Sequence, residues 1–492
     1  MKNININELI TIEQNQVIDI KIDNNLEIVE ATTPSNKEFI FKTFKKNNIN
    51  FLRFSGEEAG IYILKINDQE MKINVCKSFK YPTKLTVNKK SLFIETNNKN
   101  IFLSGYECNW LGMFTQRENN VDRLINFIAT LKEYKFNFIN INVFAYDTTW
   151  CKGKIMEDDY GPAELFPWKG DNENPDFTQF NEEYFKAFDQ VIQLLHENNL
   201  YVHLYFKVFN KEVNWPKKNS KEEKDFFNYI IHRYQAFSNI VWDYAKEAYY
   251  EDDFNYLVEF YQNIDKEDSY HRLKTLHDNK QFYEEEDKRN VLDFCTTQQH
   301  YDVYTVAIWQ REKYQMPIYS SEFGYECGIQ GIEDLSYMYG QSPEVFVTRA
   351  WQILFALSYP SYYYTYTAWD IIIPEHIPTG YKYWKILSDY ATEIEFWNYT
   401  TQPQLCYWRG RCLKHKNIAQ YIYFIDENEH ALFYVAEKYT SLEIEWFDIF
   451  TGKTYIENKT VEEIETIENP SQIVLDNPYK DQWAVAKVKI IN

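Results

Sequence analysis

The stretch MPIYSSEFGYE, residues 316–326, runs an apolar strand start straight into an acid, followed by Phe323 and Gly324. A carboxylate facing a core is strongly disfavoured unless paired or neutralised, so a buried strand ending in Glu322 carries its acid to a rim. Outward from this stretch, strand-like runs alternate with amphipathic helices. The runs are IFLSG (101–105), FININVF (138–144), YVHLYF (201–206), NIVWDY (239–244), HRLKTL (271–276), LDFCTT (292–297), PIYSS (317–321) and YYYTYT (362–367). Between them Val121, Leu124, Ile125, Ile128 and Leu131 recur at helical spacing, as do Phe185, Phe188, Val191, Ile192 and Leu195, and Val345, Val347, Ala350, Trp351 and Leu354. Strand and helix alternating in this way predict a (β/α)8 TIM barrel over residues 86–402, with a doubly wound open sheet as the weaker alternative.

On either side the helical period is missing. Residues 1–85 hold VIDIKI, EFIFKTF, IYILKI and MKINVC between Asn/Asp/Gly clusters, and predict an Ig-like N-terminal β-sandwich joined through YPTKL (81–85). Residues 403–492 hold IAQYIYFI, HALFYVAE, LEIEWFDI and WAVAKVKII, and predict a C-terminal β-sandwich.

Composition bounds the function. The 492 residues are 45% hydrophobic and 25% charged, as in ordered globular proteins. With 52 basic against 73 acidic residues the formal charge is −21, and no Lys/Arg stripe interrupts it, which argues against nucleic acid and anionic membranes as partners. The aromatic share of 18% suits a carbohydrate cleft, and is equally what an AT-rich genome gives. The seven cysteines are scattered without a C-x-x-C pair and are expected to be reduced core residues. MKNININELI lacks an apolar leader, and no run approaches the roughly 18–20 apolar residues of a spanning helix. The expectation is cytoplasmic residence, unless a signal peptide has been removed. The oligomeric state is left open.

In a (β/α)8 barrel the chemistry sits where the strands end, at the C-terminal mouth. Glu322 ends the seventh run, and Glu247 follows the fourth in NIVWDYAKEAY (239–249). Two carboxylates from these strands would face each other across the mouth. A glycosidic bond is cleaved by such a pair, one carboxyl protonated to release the leaving oxygen and one ionised to attack the anomeric carbon, with pKa values separated by environment. The alternative for either acid is a first-turn glutamate stabilising a helix N-terminus. Glu326, four residues on, is the rival nucleophile or a substrate ligand, and Asp243 is expected to make internal hydrogen bonds.

NIVWDYAKEA resembles the fourth-strand segment of clan A glycoside hydrolases, in which apolar residues lead into Asn-Glu-Pro, with Glu247 aligned on the acid/base. PIYSSEFG resembles their seventh-strand segment ending Glu-Phe-Gly, with Glu322 aligned on the nucleophile. More narrowly, the β-domain, the opening FLSGYECNW, the eighth run YTYTAWD and a closing module with WFDIFTGK are similar to bacterial apiosidase-like glycoside hydrolases. The resemblance implies retaining hydrolysis of a carbohydrate substrate without metal or organic cofactor. Lys246 stands where the clan has asparagine, and Ala248 where proline is common. A lysine there either donates to a sugar hydroxyl or a carboxylate, or lowers the pKa of Glu247 and spoils it as an acid.

Further candidate substrate-binding residues lie at strand ends. Trp369 matches the clan's aromatic platform, with Asp370 beside it to bind hydroxyls or cap a turn. Trp110 is a second wall or a core residue. His300, Tyr301 and His277 stand at the level of the nucleophile, where a lone histidine is more often structural. A metal-dependent barrel hydrolase ranks low, because the first run has no His-x-His. A non-catalytic carbohydrate-binding barrel, a degenerate glycosidase, is the alternative that Lys246 keeps open. Sugar, linkage and endo or exo action depend on loop shape, above all the insertion at 147–180.

Overall fold

The computed structural model describes residues 9–22, 26–66, 69–117, 120–147, 164–327, 340–368, 372–406, 411–426, 430–435, 437–464, 472–479 and 482–491. Its centre is a parallel sheet of β1 (Gly105–Glu107), β2 (Phe138–Asn142), β3 (Tyr201–Val208), β4 (Ile240–Lys246), β5 (Lys274–Thr275), β6 (Cys295–Gln298), β7 (Ile318–Glu322) and β8 (Tyr359–Tyr362). The strands follow the order β5-β4-β3-β2-β1-β8-β7-β6. The remaining gap is bridged by a parallel pair, His277 with Thr296, flanked by Asp278 N–H to Thr296 O at 3.0 Å and Asp293 N–H to Lys274 O at 2.8 Å. The sheet is a nearly closed TIM barrel.

Every residue of β2, β3 and β4 is buried. Strands covered on both faces read as continuous apolar runs, the signal these segments carry in the sequence. Helices cover the outside: α1 (Asn120–Glu133), α2 (Glu182–Glu197), α3 (Lys221–Tyr234), α4 (Phe254–Glu267), the short α5 (Lys280–Glu284) and α6 (Glu286–Arg289), α7 (Val303–Tyr314), α8 (Pro343–Phe355) and α9 (Gly380–Glu393). Several open on a polar cap: Ser220 accepts from Glu223 N–H at 3.1 Å, and Asp253 from Tyr256 N–H at 3.1 Å. Ile125 and Val345, both expected on core-facing stripes, are instead exposed. Leu124, Phe127, Ile128 and Leu131 form the buried face of α1.

The eighth strand also departs from expectation. It occupies Tyr359–Tyr362, overlapping the YYYTYT alternation only at Tyr362; beyond it Tyr364 makes a single parallel bridge to Glu326 and the chain turns, with Thr367 N–H bonded to Tyr364 O at 3.1 Å. Pro360 hides this strand from a propensity reading, since proline usually argues against a central strand. The first strand likewise starts at Gly105, where IFLSG ends, and the fifth shrinks to Lys274–Thr275.

The N-terminal region carries a five-stranded and a three-stranded sheet over a core including Ile20, Val29, Phe54, Leu64 and Ile73. The C-terminal region carries a six-stranded antiparallel sheet whose Phe424 and Phe447 pack on Trp351 of α8. The β-rich flanks are therefore as expected in kind. Among the described residues no helix is long and apolar enough to cross a membrane.

Candidate active site

Glu107 ends β1, Lys246 ends β4, Gln298 ends β6 and Glu322 ends β7, all on one rim of the barrel. Glu247 follows β4 directly. A bulge between Thr297 and Gln298 sets Gln298 opposite Glu322, and its Nε2 donates to Glu322 Oε1 at 3.0 Å. Gly324 takes a positive φ of 146 just past the strand end, and the Tyr325 hydroxyl after it donates to the same oxygen. Lys246 Nζ donates to Glu322 Oε2 at 2.9 Å, and His300 Nε2 lies 3.9 Å from Oε1. Burial pushes the Glu322 carboxyl up, but the Lys246 ammonium, His300 and these donors outweigh it and hold Glu322 below its ordinary value.

Glu247 has the opposite setting. Burial raises its carboxyl to about 7, and the charge of Glu322 adds to the rise while Lys246 and Lys211 oppose it. Its backbone is left-handed (φ 60, ψ 42), a conformation that costs a non-glycine residue on the order of 1–3 kcal/mol. The Glu247 N–H donates to His277 Nδ1 at 2.8 Å, which fixes the backbone and leaves the imidazole proton on Nε2. His277 is fully buried and held neutral by burial and by Lys246, and its Nε2 has no hydrogen-bond partner among the described residues.

A polar network crosses the barrel interior beneath these groups. Asn140 Nδ2 donates to Glu107 Oε1, His203 Nδ1 lies 3.0 Å from Asn140 Oδ1, and His203 Nε2 lies 2.8 Å from Asp243 Oδ2. Asp243 Oδ1 also accepts from the N–H groups of Ala245 and His277 at 3.2 Å each, the internal bonding expected of it. Burial raises Glu107 to about 7, eased by Lys246 and reinforced by Glu322.

The other sequence candidates separate by environment. Tyr301, exposed by 69%, and His300 border a cavity of about 470 Å³ with Tyr249, Asp278, Lys280 and Gln298. Trp110 lies in the apolar core of the barrel, the packing alternative. Glu326 is buried with its carboxyl on the Tyr362 hydroxyl and on the N–H of Gly380 at 3.2 Å, where α9 begins. Among the described residues it shares no hydrogen-bond partner with Glu322. A Cβ on Gly380 would meet Glu326 Oε2 at 2.1 Å, so the glycine is what lets that carboxylate cap the helix. Trp369 and Asp370 lie outside the described residues. The sequence reading passed over Glu107, Asn140, His203, Gln298 and Tyr325. Glu107 stands in a stretch it singled out, FLSGYECNW, and Gln298 directly follows the run LDFCTT, so strand-end position was the signal available for both. Among the described residues no group of three or more His, Cys, Asp or Glu is arranged to hold a metal ion.

Residues 87–404 match the apiosidase-like catalytic domain, most of the chain. The chain belongs to the apiosidase-like family. Glycoside hydrolase is thus its enzyme class, and the barrel is the family's catalytic domain. No curated protein matches the sequence. Among solved structures, the apiosidase-like chain is similar to a candidate glycoside hydrolase of Bacteroides vulgatus ATCC 8482, with 14% identity, TM-score 0.77, and 98% of this chain and 100% of that one covered. It is also similar to a glycoside hydrolase family 5 protein of the same organism, with 14% identity, TM-score 0.63, and 83% and 93% covered. At that identity the likeness speaks for the fold, flanking modules included.

Proposed function

We propose that this apiosidase-like chain is a retaining hydrolase of O-glycosidic bonds in an oligo- or polysaccharide, with Glu322 as nucleophile and Glu247 as acid/base. The observation that carries the reading is the split between the two carboxyls. Two neutral donors, Gln298 and Tyr325, and the Lys246 ammonium stabilise the charge on Glu322, while burial and the Glu322 charge itself keep a proton on Glu247 near neutral pH. Glu322 attacks the anomeric carbon as Glu247 protonates the leaving oxygen. Glu247, now ionised, then deprotonates the water that cleaves the glycosyl ester.

In this reading Lys246 serves the carboxylate rather than spoiling the acid, because its nearest partner is Glu322. The cavity beside Gln298 and His300 takes neighbouring sugar units, with the exposed Tyr249 and Tyr301 as stacking faces. The family's name makes apiosides the first substrates to try. Residues 1–85 and 403–492 are β modules that brace an 86–402 barrel.

The test is turnover of an aryl glycoside panel that includes apiosides, followed by Glu322→Ala with azide. Rescue that yields a glycosyl azide of inverted configuration supports the nucleophile. Measurable sugar binding without turnover of any member would instead establish a non-catalytic binding barrel.

A further inference from the structure

Lys246 is held between two buried carboxylates. Its Nζ is 2.9 Å from Glu322 Oε2 and 3.8 Å from Glu107 Oε2, and Lys246, Glu322 and Glu107 are 6%, 3% and 0% exposed. The nearer carboxylate is the one the proposed reaction consumes. Once a Glu322 oxygen bonds the anomeric carbon, a neutral ester replaces the anion, and the ammonium loses its hydrogen-bonded counter-ion. Glu247, ionised in the same step, acts on Lys246 by its charge but is not among the carboxylates within ion-pair distance of Nζ, and a buried ammonium without a hydrogen-bonded anion is strongly disfavoured. Glu107 offers the replacement: Asn140 occupies its Oε1, while its Oε2 accepts no hydrogen bond among the described residues. The other interior carboxylate, Asp243, is already engaged by His203 and two backbone N–H groups.

We infer that Glu107 is the counter-ion to which Lys246 transfers when Glu322 is esterified, a positioning residue that acts through the ammonium to stabilise the covalent intermediate. This rests on Glu322 being the nucleophile. In the first step the bond from Glu322 to the anomeric carbon forms, the bond to the leaving oxygen breaks, and that oxygen takes the Glu247 proton. Lys246 keeps its three protons and shifts one hydrogen bond from Glu322 Oε2 to Glu107 Oε2, closing the 3.8 Å gap by about 1 Å. In the second step water bonds the anomeric carbon, the ester breaks, Glu247 recovers a proton, and the ammonium returns to Glu322. The charge of Glu322 is among the causes that raise Glu107, so its loss favours ionised Glu107 when the ammonium needs it, any proton held at rest being released to water.

The experiment follows the ester by rapid quench and mass spectrometry of the Glu322 peptide, using a 2-deoxy-2-fluoro aryl glycoside of a sugar the wild type hydrolyses. Glu107→Gln is expected to slow ester formation at least about tenfold without slowing ester hydrolysis. Glu107→Asp, which keeps the charge, is expected to recover most of that rate. In a Lys246→Asn background, where no ammonium needs an anion, Glu107→Gln is expected to have no further effect on ester formation. Wild-type ester formation in Glu107→Gln, or the same loss in the Lys246→Asn background, overturns the inference while leaving the nucleophile intact. If the wild type turns over none of the sugars and its Glu322 peptide carries no ester with any fluoroglycoside, the nucleophile assignment fails, and the inference with it.

Discussion

At the scale of single residues, the site is a division of charge among groups that share one rim. Activity in the proposed mechanism requires Glu322 ionised and Glu247 protonated. The first condition is lost as pH falls through the Glu322 value, below the ordinary carboxylate range, and the second as pH rises through about 7. The expected profile of kcat/KM is a bell with its basic limb near pH 7. Glu247→Gln removes that limb and lowers kcat/KM by roughly 10²–10⁴ on poor leaving groups, with little loss on dinitrophenyl glycosides that need no acid. Lys246→Asn deletes the largest influence holding Glu322 down, so the acidic limb moves upward. A profile unchanged in Lys246→Asn would show that the ammonium does not set the ionisation of Glu322. Glu322 and Glu247 were visible in the sequence because each follows an apolar run that fixes its height in the barrel. Glu107 was not singled out, because its strand is three residues long and its meaning comes from Lys246, far away in sequence.

At the scale of elements, what matters is how a strand hands its last residue to the rim. The β4 end is held by a neighbour: His277, just past β5, accepts the Glu247 N–H and keeps the left-handed turn in place. His277→Ala leaves that N–H without its partner, a loss of about 1–3 kcal/mol that denaturant titration reads. It also frees the turn, so kcat is expected to fall while KM changes little, because the acid is displaced and the sugar contacts remain. Equal loss in both parameters would place His277 in sugar binding instead. The elements that the sequence revealed poorly share one cause. β1, β5 and β8 are short and owe their existence to pairing with longer neighbours, as Gly105 pairs with Phe138 and Tyr319 with Tyr359. Long strands such as β3 carry their own apolar signal, whereas a short one is defined by register, which a single sequence does not print. The YYYTYT alternation imitates a strand through its Tyr and Thr propensities, but tertiary pairing overrides them.

At the scale of the molecule, the N-terminal module is tied to the barrel by a buried charge cluster that composition gives no hint of. Arg53 Nε donates to Asp19 Oδ1 at 2.7 Å within the module, Arg53 Nη2 donates to Asp189 Oδ2 of α2 at 3.0 Å, and Arg53 Nη1 donates to the carbonyl of Arg233 at 2.9 Å. Arg233 of α3 donates to Asp189 as well, Nη2 to Oδ2 at 2.8 Å. A single guanidinium thus joins one module's carboxylate to two helices of the barrel, and the β-sandwich is part of the fold's charge balance rather than an appended bead. Burial opposes the charge on Asp189, yet Arg233 and Arg53 hold its carboxyl far below the ordinary range. A folded pKa depressed in this way contributes stability that is present above the unfolded carboxylate value of about 3.9 and is lost as pH falls from there toward the folded value. Removing one partner of such a buried pair leaves an uncompensated charge, which typically costs about 3–5 kcal/mol. Arg53→Met is therefore expected to lower stability by that order, read by urea titration at pH 7. The barrel and module should then melt in separate steps, because the loss falls on their junction. Asp19→Asn combined with Arg53→Met is expected to recover part of the loss, since it also removes the buried anion inside the module that Arg53 had neutralised. A single coincident transition with unchanged midpoint in Arg53→Met would mean that the other contacts across the junction, such as Arg272 on Glu57 and Phe41 on Tyr270, hold the module in place.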